Sequence, residues 1–248
     1  MTDRLGYRLK MGIIIPSTNT SVQPETDAMR PLGVTNHVGR IHIPDLPLSN
    51  DTEFEAMVDA IGPDLFGAVD RVMTAKPGHL LMGMSIPTFW GGKAGGDALH
   101  ARLQQRAGVG VTMGSEACVA GLQRFPKVRR IGILTPYQPV GDAHVARYFA
   151  DHGYEVALVH SLKRPSEVQI AHATADDIRD GLKTLAASGV DAIVQAGTDL
   201  AVTDIADEAE RWLGLPVIAI NAATYWLALR RCGITDKILG RGSLLAEH

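Results

Sequence analysis

The sequence contains only two cysteines, and aromatic residues make up just 5% of its 248 residues. So few cysteines are typical of a chain that folds in a reducing compartment, and we expect a cytoplasmic protein. No apolar run approaches the roughly 20 residues of a membrane-spanning helix, and residues 1–10 have no apolar signal core. Lys and Arg number 24 against 27 Asp and Glu, which argues against a nucleic-acid-binding protein.

The apolar content is ordinary, at 46%, and the 26 glycines favour an α/β protein with many tight turns. Short apolar runs alternate with stretches of helical period. The predicted strands are residues 11–16, 37–43, 79–84, 110–113, 130–135, 155–160, 192–195 and 216–220. The predicted helices are residues 24–29, 53–74, 93–107, 115–124, 140–152, 175–188, 201–213 and 222–231. The strands are continuously apolar, as in parallel sheets that are covered on both faces.

The two halves of the chain repeat weakly. Three pairs of segments correspond in order: 12–16 with 132–136, 80–85 with 192–197, and 110–115 with 216–221. The repeat predicts two similar, facing lobes of parallel β-sheet flanked by helices, related by a pseudo-two-fold axis. We place the N-terminal lobe at residues 8–113 plus 222–245, and the C-terminal lobe at residues 114–221. Because ligands bind beyond the carboxyl ends of parallel strands, we expect the active site in the cleft between the lobes.

Four turns that follow predicted strands are rich in small polar residues. They are residues 16–20, 83–85, 135–137 and 195–199. Backbone N–H groups and hydroxyl groups in such turns form good anion sites. For any one turn alone, capping of the helix that follows it is the favoured interpretation. Four of them on one rim favour a site for a small carboxylate.

The same turns resemble those of a known family. Pro16-Ser-Thr-Asn19, Leu81-Met-Gly-Met-Ser85, Thr135-Pro-Tyr137 and the stretch Asp191 to Thr198 are similar to motifs of the aspartate/glutamate racemase superfamily. The match is to its branch of arylmalonate decarboxylases and maleate cis-trans isomerases, and it covers roughly residues 10–245. The resemblance implies two facing α/β lobes and a reaction that needs no cofactor.

The resemblance also shows a departure from that family. Racemases and maleate isomerases carry one catalytic cysteine on each lobe, and these two positions correspond to Gly83 and Ala196. The resemblance therefore implies a reaction without the two-thiol mechanism. Cys118 lies inside a predicted helix and Cys232 ends another, so we expect both thiols to be packed and unreactive. We find no Cys/His grouping at metal spacing and no dinucleotide motif, so no metal or cofactor is expected.

The retained residues are mainly hydrogen-bond donors. By resemblance, Tyr137, Ser85 and Asn19 are the expected catalytic residues. The expected substrate-binding residues are Ser17, Gly83, Met84, Ala196, Gly197 and Thr198. Tyr137 is the first choice for proton transfer, as an acid with its ordinary pKa of ~10 or as a base if that pKa is lowered. Asp199 is either a base or the cap of the following helix.

The donor set predicts a carbanion stabilised as an enediolate, but leaves open which bond breaks. We expect a cofactor-independent decarboxylase or other lyase that acts on a small mono- or dicarboxylate. The alternatives are an isomerase or racemase with a non-thiol acid–base pair, and an inactive relative that only binds carboxylates. The expected partner is this small molecule, with no nucleic acid and no membrane. Association into a homo-oligomer is left open.

Overall fold

A computed structural model describes residues 3–248, apart from the side chain of Pro63. Eight strands form two separate four-stranded sheets, in the orders β2-β1-β3-β4 and β6-β5-β7-β8. All pairings within the two sheets are parallel. The identical strand order in the two halves agrees with the internal repeat. The predicted fold of two facing α/β lobes is therefore confirmed.

The elements follow the predicted order closely. The strands are β1 (Leu9–Pro16), β2 (Val34–Ile41), β3 (His79–Met82), β4 (Gly110–Met113), β5 (Arg130–Thr135), β6 (Glu155–Ser161), β7 (Ala192–Gln195) and β8 (Val217–Ala219). The helices are α1 (Val22–Ala28), α2 (Asp51–Met73), α3 (Ile86–Phe89), α4 (Gly92–Ala107), α5 (Gly114–Leu122), α6 (Pro139–Asp151), α7 (Glu167–Ile170), α8 (Ala175–Ala187), α9 (Thr203–Leu213), α10 (Ile220–Arg231) and α11 (Ser243–Glu247). Among the described helices, none has the length and apolar character to cross a membrane.

Three short helices, α3, α7 and α11, are additions to the predicted set. The second strand was predicted over residues 37–43, but it ends at Ile41. The physical reason is that the N–H and the carbonyl of Ile43 both bond to the hydroxyl of Ser17. Ile220, predicted to end a strand, begins α10 instead, and its N–H donates to the side chain of Gln195.

The order of the strands determines where the cleft lies. In each sheet the chain adds its second strand on one side of the first and its later strands on the other side. This change of side falls between two central strands, β1 and β3 in one sheet and β5 and β7 in the other. A crevice opens at such a switch point, beyond the carboxyl ends of the strands. The turns that leave these four strands are the four turns singled out in the sequence. Their meeting point is therefore a consequence of topology.

A buried carboxylate joins the two lobes. Glu25 of α1 accepts hydrogen bonds from the N–H groups of Val202 and Thr203, both at 3.0 Å, and from the Thr203 hydroxyl at 2.9 Å. Its other oxygen accepts from the Asn221 amide at 2.6 Å. Helix α9 has no side-chain cap of its own, so Glu25 caps it from the opposite lobe. Burial raises the pKa of Glu25 while these donors oppose the shift, and four donors suit the ionised form.

A second carboxylate makes the reverse connection. Asp199, in the turn after β7, accepts from the N–H groups of Thr20 at 2.9 Å and Ser21 at 3.2 Å, at the start of α1. The Ser21 hydroxyl donates back to the Asp199 carbonyl at 2.8 Å. Glu25 and Asp199 thus each cap a helix N-terminus that belongs to the other lobe. We refer to these two sets of bonds as the reciprocal caps.

The lobe boundaries at residues 8–113 plus 222–245 and at residues 114–221 stay a prediction. Helix α10 follows β8, but it contacts α1, β3 and β4 of the first sheet as well as α5. Because α5 lies within residues 114–221, α10 packs on elements assigned to both lobes.

Substituting Glu25→Ala should lower the free energy of unfolding by about 2–4 kcal/mol, because it leaves buried N–H donors at the start of α9 without acceptors. Urea denaturation followed by circular dichroism measures the change. Glu155→Ala is the control, since the exposed Arg130–Glu155 pair should contribute about 1 kcal/mol or less. Equal effects of the two substitutions would contradict the capping role of Glu25.

Candidate active site

The four turns line a narrow cavity of about 20 Å³ between the lobes. Its walls come from both lobes and combine hydroxyl, amide and carboxyl groups with apolar side chains. The lining residues are Pro16, Asn19, Met84, Ser85, Ile86, Tyr137, Glu167, Ile170, Gly197, Thr198 and Asp199. Six of the nine residues predicted as site residues are in this set. The predicted site residues outside it are Ser17, Gly83 and Ala196.

Three predicted residues form one hydrogen-bonded cluster in the cavity wall. The hydroxyl oxygens of Ser85 and Tyr137 are 2.5 Å apart, and the Thr198 N–H donates to the Ser85 hydroxyl at 3.1 Å. Ser85 belongs to the N-terminal lobe and the other two residues to the C-terminal lobe. The Thr198 carbonyl accepts a hydrogen bond from the Asn221 amide, which also donates to Glu25. This bond fixes the position of Thr198 in the cluster. The Thr198 N–H and one of the two hydroxyl hydrogens are used inside the cluster, which leaves the other hydroxyl hydrogen for a ligand.

Asn19 offers a further donor, and its orientation is fixed. Its side-chain oxygen accepts from the N–H groups of Ser21 at 3.1 Å and Val22 at 2.9 Å, which caps α1. The amide nitrogen must then point the other way. That nitrogen is buried, since Asn19 is only 2% exposed, and it has no hydrogen-bond partner among the described residues. An unpaired buried donor costs free energy that a bound anion would recover.

Two carboxyl groups share this cavity. Asp199 uses one oxygen for the reciprocal cap, while its other oxygen is buried and unpaired among the described residues. Burial raises the pKa of Asp199 to about 6. Burial, reinforced by the charges of Asp199 and Asp45, raises the pKa of Glu167 to about 7. The sequence predicts Asp199 as either a base or the cap of the helix that follows it. In the structure its side chain does not cap that helix but accepts from the N–H groups of Thr20 and Ser21 in the other lobe.

Glu167 was missed by the sequence analysis. It lies in a polar stretch with no motif, and only the fold brings it to the cavity. Its segment is tied to the opposite lobe by a bridge between Pro47 and Ser166, and by a 2.7 Å bond from the Leu48 N–H to the Pro165 carbonyl. No local pattern in the sequence signals this placement.

Tyr137 is a neutral donor in this site. Burial raises its pKa well above the ordinary value of 10, and the hydrogen bond with Ser85 opposes the shift only in part. The edge of the ring packs on Phe54 of α2, with the ring centroids 5.5 Å apart. The phenol therefore keeps its proton near neutral pH and can donate a hydrogen bond. A role as a base would need the opposite shift.

Gly83 and Ala196, at which the resemblance places the two cysteines of the family, have equivalent positions in the structure. The Gly83 N–H donates to the Ile14 carbonyl and the Ala196 N–H to the Leu134 carbonyl, both at 2.8 Å. Each residue is thus the first after a central strand. A Cβ atom on Gly83 would lie 2.7 Å from a methyl carbon of Ile15. That position has no space for a side chain unless the neighbouring strand residue moves.

Ser17 and Gly197 have structural roles. The Ser17 hydroxyl is bonded at 3.0 Å to both the N–H and the carbonyl of Ile43, and it faces a separate surface depression with Arg40 and Arg71. Gly197 has a φ of 144° and packs on Pro136, where a Cβ would lie 2.6 Å from a ring carbon. Glycine is therefore required at this turn. Met84 and Gly197 line the cavity, and their role as substrate contacts stays a prediction.

The two thiols are poorly placed for chemistry. Cys118 is fully buried in α5 and Cys232 is half-buried at the end of α10, and neither lines the cavity described above. Burial raises the pKa of both thiols, which suppresses the reactive thiolate. Among residues 3–248, no group of His, Cys, Asp and Glu side chains is arranged to hold a metal ion.

The donor cluster generates a binding prediction. Ser85→Ala and Tyr137→Phe should each weaken the binding of phenylacetate by about 1.5–3 kcal/mol, since each removes a hydrogen bond to a charged group. Isothermal titration calorimetry measures the dissociation constants. Tyr7→Phe, at an exposed tyrosine, is the matched control. Unchanged affinity in both cavity variants would place the carboxylate elsewhere.

The thiols generate a second prediction. Iodoacetamide should leave ligand binding and any activity intact in the native protein, because neither thiol is accessible as a thiolate. Cys118→Ser should lower the midpoint of thermal unfolding, because it buries a polar group in an apolar environment. Rapid inactivation by the reagent, prevented by a bound carboxylate, would show that one of the two cysteines belongs to the site.

Comparison with known proteins agrees with the turns and the fold. The family model for arylmalonate decarboxylase (Amdase) matches residues 11–245. A maleate isomerase from Alcaligenes faecalis is 25% identical, over 96% of this chain and 96% of the relative. An arylmalonate decarboxylase from Bordetella bronchiseptica is 28% identical, over 62% of this chain and 64% of the relative.

A solved structure extends the similarity to the whole fold. A maleate cis-trans isomerase from Nocardia farcinica, carrying a covalently bound succinylcysteine intermediate, superimposes with a TM-score of 0.87 and 20% identity. The superposition covers 96% of this chain and 98% of that one. The branch expected from the turn motifs is thereby confirmed, and the chain belongs to the arylmalonate decarboxylase family.

Proposed function

We propose that this protein is a cofactor-independent enzyme that forms an enediolate from a small carboxylate, and that it is a decarboxylase. The observation that carries the proposal is the cluster of Ser85, Tyr137 and the Thr198 N–H, which faces the same cavity as the unpaired Asn19 amide. Family membership supports the reaction class, since the relatives are named as a decarboxylase and as isomerases.

The donors suit an enediolate better than a carboxylate. When a bond to the neighbouring carbon breaks, its electron pair spreads onto the two carboxylate oxygens and increases their negative charge. Fixed neutral donors then bind more strongly than in the ground state, and one such donor contributes about 2.7–4 kcal/mol. The Asn19 amide nitrogen is unpaired among the described residues and its direction is fixed by the bonds of its oxygen, while the Ser85–Tyr137 pair keeps one hydroxyl hydrogen for the ligand.

The rest of the cavity favours the loss of a second carboxylate. Met84, Ile86 and Ile170 form apolar wall, and no Lys or Arg is among the described lining residues. A carboxylate bound against this wall loses its hydrating water molecules and gains no interaction with a cation in exchange. Release as neutral carbon dioxide removes that cost, which is why we favour a disubstituted malonate as the substrate class.

An isomerase is the second candidate. Glu167 and Asp199 both line the cavity and both have raised pKa values, so one could remove a proton and the other return one at the same carbon. Such a pair would replace the two thiols absent at Gly83 and Ala196. An inactive relative that only binds carboxylates would need the donors but neither carboxyl group.

Localisation is proposed on separate grounds. Both cysteines are free thiols in the structure. Free thiols are typical of proteins in a reducing compartment, and we therefore place the protein in the cytoplasm.

The prediction is that the wild-type protein converts 2-methyl-2-phenylmalonate to 2-phenylpropionate and carbon dioxide. Proton NMR in D₂O follows the conversion and counts the deuterium at the α-carbon, alongside maleate, phenylacetate and amino acids as other substrates. Exchange of the α-proton without carbon dioxide release would replace the decarboxylase by the isomerase. Tight binding with no conversion of any compound would contradict an enzymatic function.

A further inference from the structure

Glu167 is a buried acid without a structural task. It is 8% exposed and lines the cavity, yet no hydrogen bond to a described residue contributes to its pKa. Buried carboxyl groups in proteins are normally paired or hydrogen-bonded, because burial without a partner is costly. An unpaired carboxyl group that faces a cavity is therefore available to a ligand.

The groups around Glu167 are acids. Asp199 in the turn after β7 and Asp45 in the segment after β2 both act on its charge, and Tyr137 after β5 is affected by it in turn. No cation among the described residues contributes to the shift. Near neutral pH the neutral form of this carboxyl group is therefore substantially populated, with a pKa of about 7.

The other protic groups in the cavity are wholly or partly engaged. One oxygen of Asp199 is held by two backbone N–H groups as part of the reciprocal caps, and only its other oxygen is unpaired among the described residues. Tyr137 shares its hydroxyl with Ser85, and its raised pKa keeps the proton on the phenol. Among the described residues that line the cavity, only Glu167 has both a pKa near neutrality and two carboxyl oxygens without a hydrogen-bond partner.

The backbone of the segment that carries Glu167 is fixed by contacts on both sides of this residue. Glu167 opens α7, directly after the bridge between Ser166 and Pro47. The N–H of Val168, the next residue, donates to Asp45 at 3.3 Å. The segment that carries the acid is thus fixed to the opposite lobe, and the acid is presented to the cavity at a defined place.

We propose that Glu167 is the proton carrier of this site and supplies the proton that the carbanion takes up. The proposal rests on the function proposed above and names the residue that replaces the missing thiols. In the decarboxylase reaction, the bond between the α-carbon and one carboxylate breaks, carbon dioxide leaves, and the electron pair stays as the enediolate. The α-carbon then forms a bond to the proton of Glu167, which becomes a carboxylate. Water returns a proton to Glu167 for the next cycle.

The proposal has a consequence for ligand binding. A bound carboxylate adds negative charge to a cavity that already holds Asp199 and Glu167 and has no described cation in its wall. Binding is therefore strongest when Glu167 is protonated, and affinity falls as the pH rises through its pKa. Above that pKa the dissociation constant should increase about tenfold per pH unit, as expected for a binding-competent form that is only fractionally populated.

Glu167→Gln tests the catalytic part, because glutamine keeps the shape and has no transferable proton. With 2-methyl-2-phenylmalonate, kcat should fall by about 10²–10⁴ while KM changes less than threefold. The wild-type loss of kcat/KM above pH 7 should disappear. The product should lose its enantiomeric excess, since one fixed acid reaches one face of the carbanion. Glu155→Gln, at an exposed position, is the control for the substitution itself.

The binding part is tested without turnover. The dissociation constant of phenylacetate, measured by calorimetry from pH 6 to pH 9, should rise with pH in the wild type and stay flat in Glu167→Gln. Retention of rate, pH profile and enantiomeric excess in the variant would overturn the proposal while leaving the decarboxylase intact. If the wild type converts no substrate, the proposed function fails instead, and with it the catalytic step of Glu167. A pH-independent affinity in the wild type would also overturn the proposal.

Discussion

The arrangement on which the site depends is the pair of reciprocal caps. Glu25 of the N-terminal lobe caps α9 of the other lobe, and Asp199 of the C-terminal lobe caps α1. Two parallel sheets that share no strand pairing are joined here by carboxylates bound to helix N-termini, where the helix dipole favours negative charge. All of these bonds except the partly buried one from Thr20 are buried, so solvent competes little for them.

The same bonds shape the cavity between the lobes. Asn19 caps α1 with its oxygen, which leaves its amide nitrogen toward the ligand, and Asn221 connects Glu25 to the carbonyl of Thr198. Structural bonds thus orient the donors before any substrate arrives. These donors form the proposed oxyanion site, and the cavity that they line also contains two acids and no described cation. The presence of two acids without a cation favours a reaction in which a carboxyl group, rather than a thiol, carries the proton.

The sequence predicts the parts of the site that follow from local pattern. Ser85, Tyr137 and Thr198 each come within three residues of the end of a central strand, so topology alone brings them together. Ser17 has the same kind of position, but its hydroxyl is taken up by Ile43, a residue distant in sequence. Glu167 escapes prediction because its place depends on the long-range bridge between Pro47 and Ser166. The upward shift in the pKa of Tyr137 likewise follows from burial, which only the folded chain reveals.

The most direct test of the account is a crystal structure of the protein with bound phenylacetate. We expect the carboxylate within hydrogen-bond distance of the Ser85 and Tyr137 hydroxyls and the Asn19 amide, with the methylene carbon facing Glu167. A carboxylate bound instead in the surface depression beside Arg40 and Arg71, with the cavity between the lobes unchanged, would contradict the account.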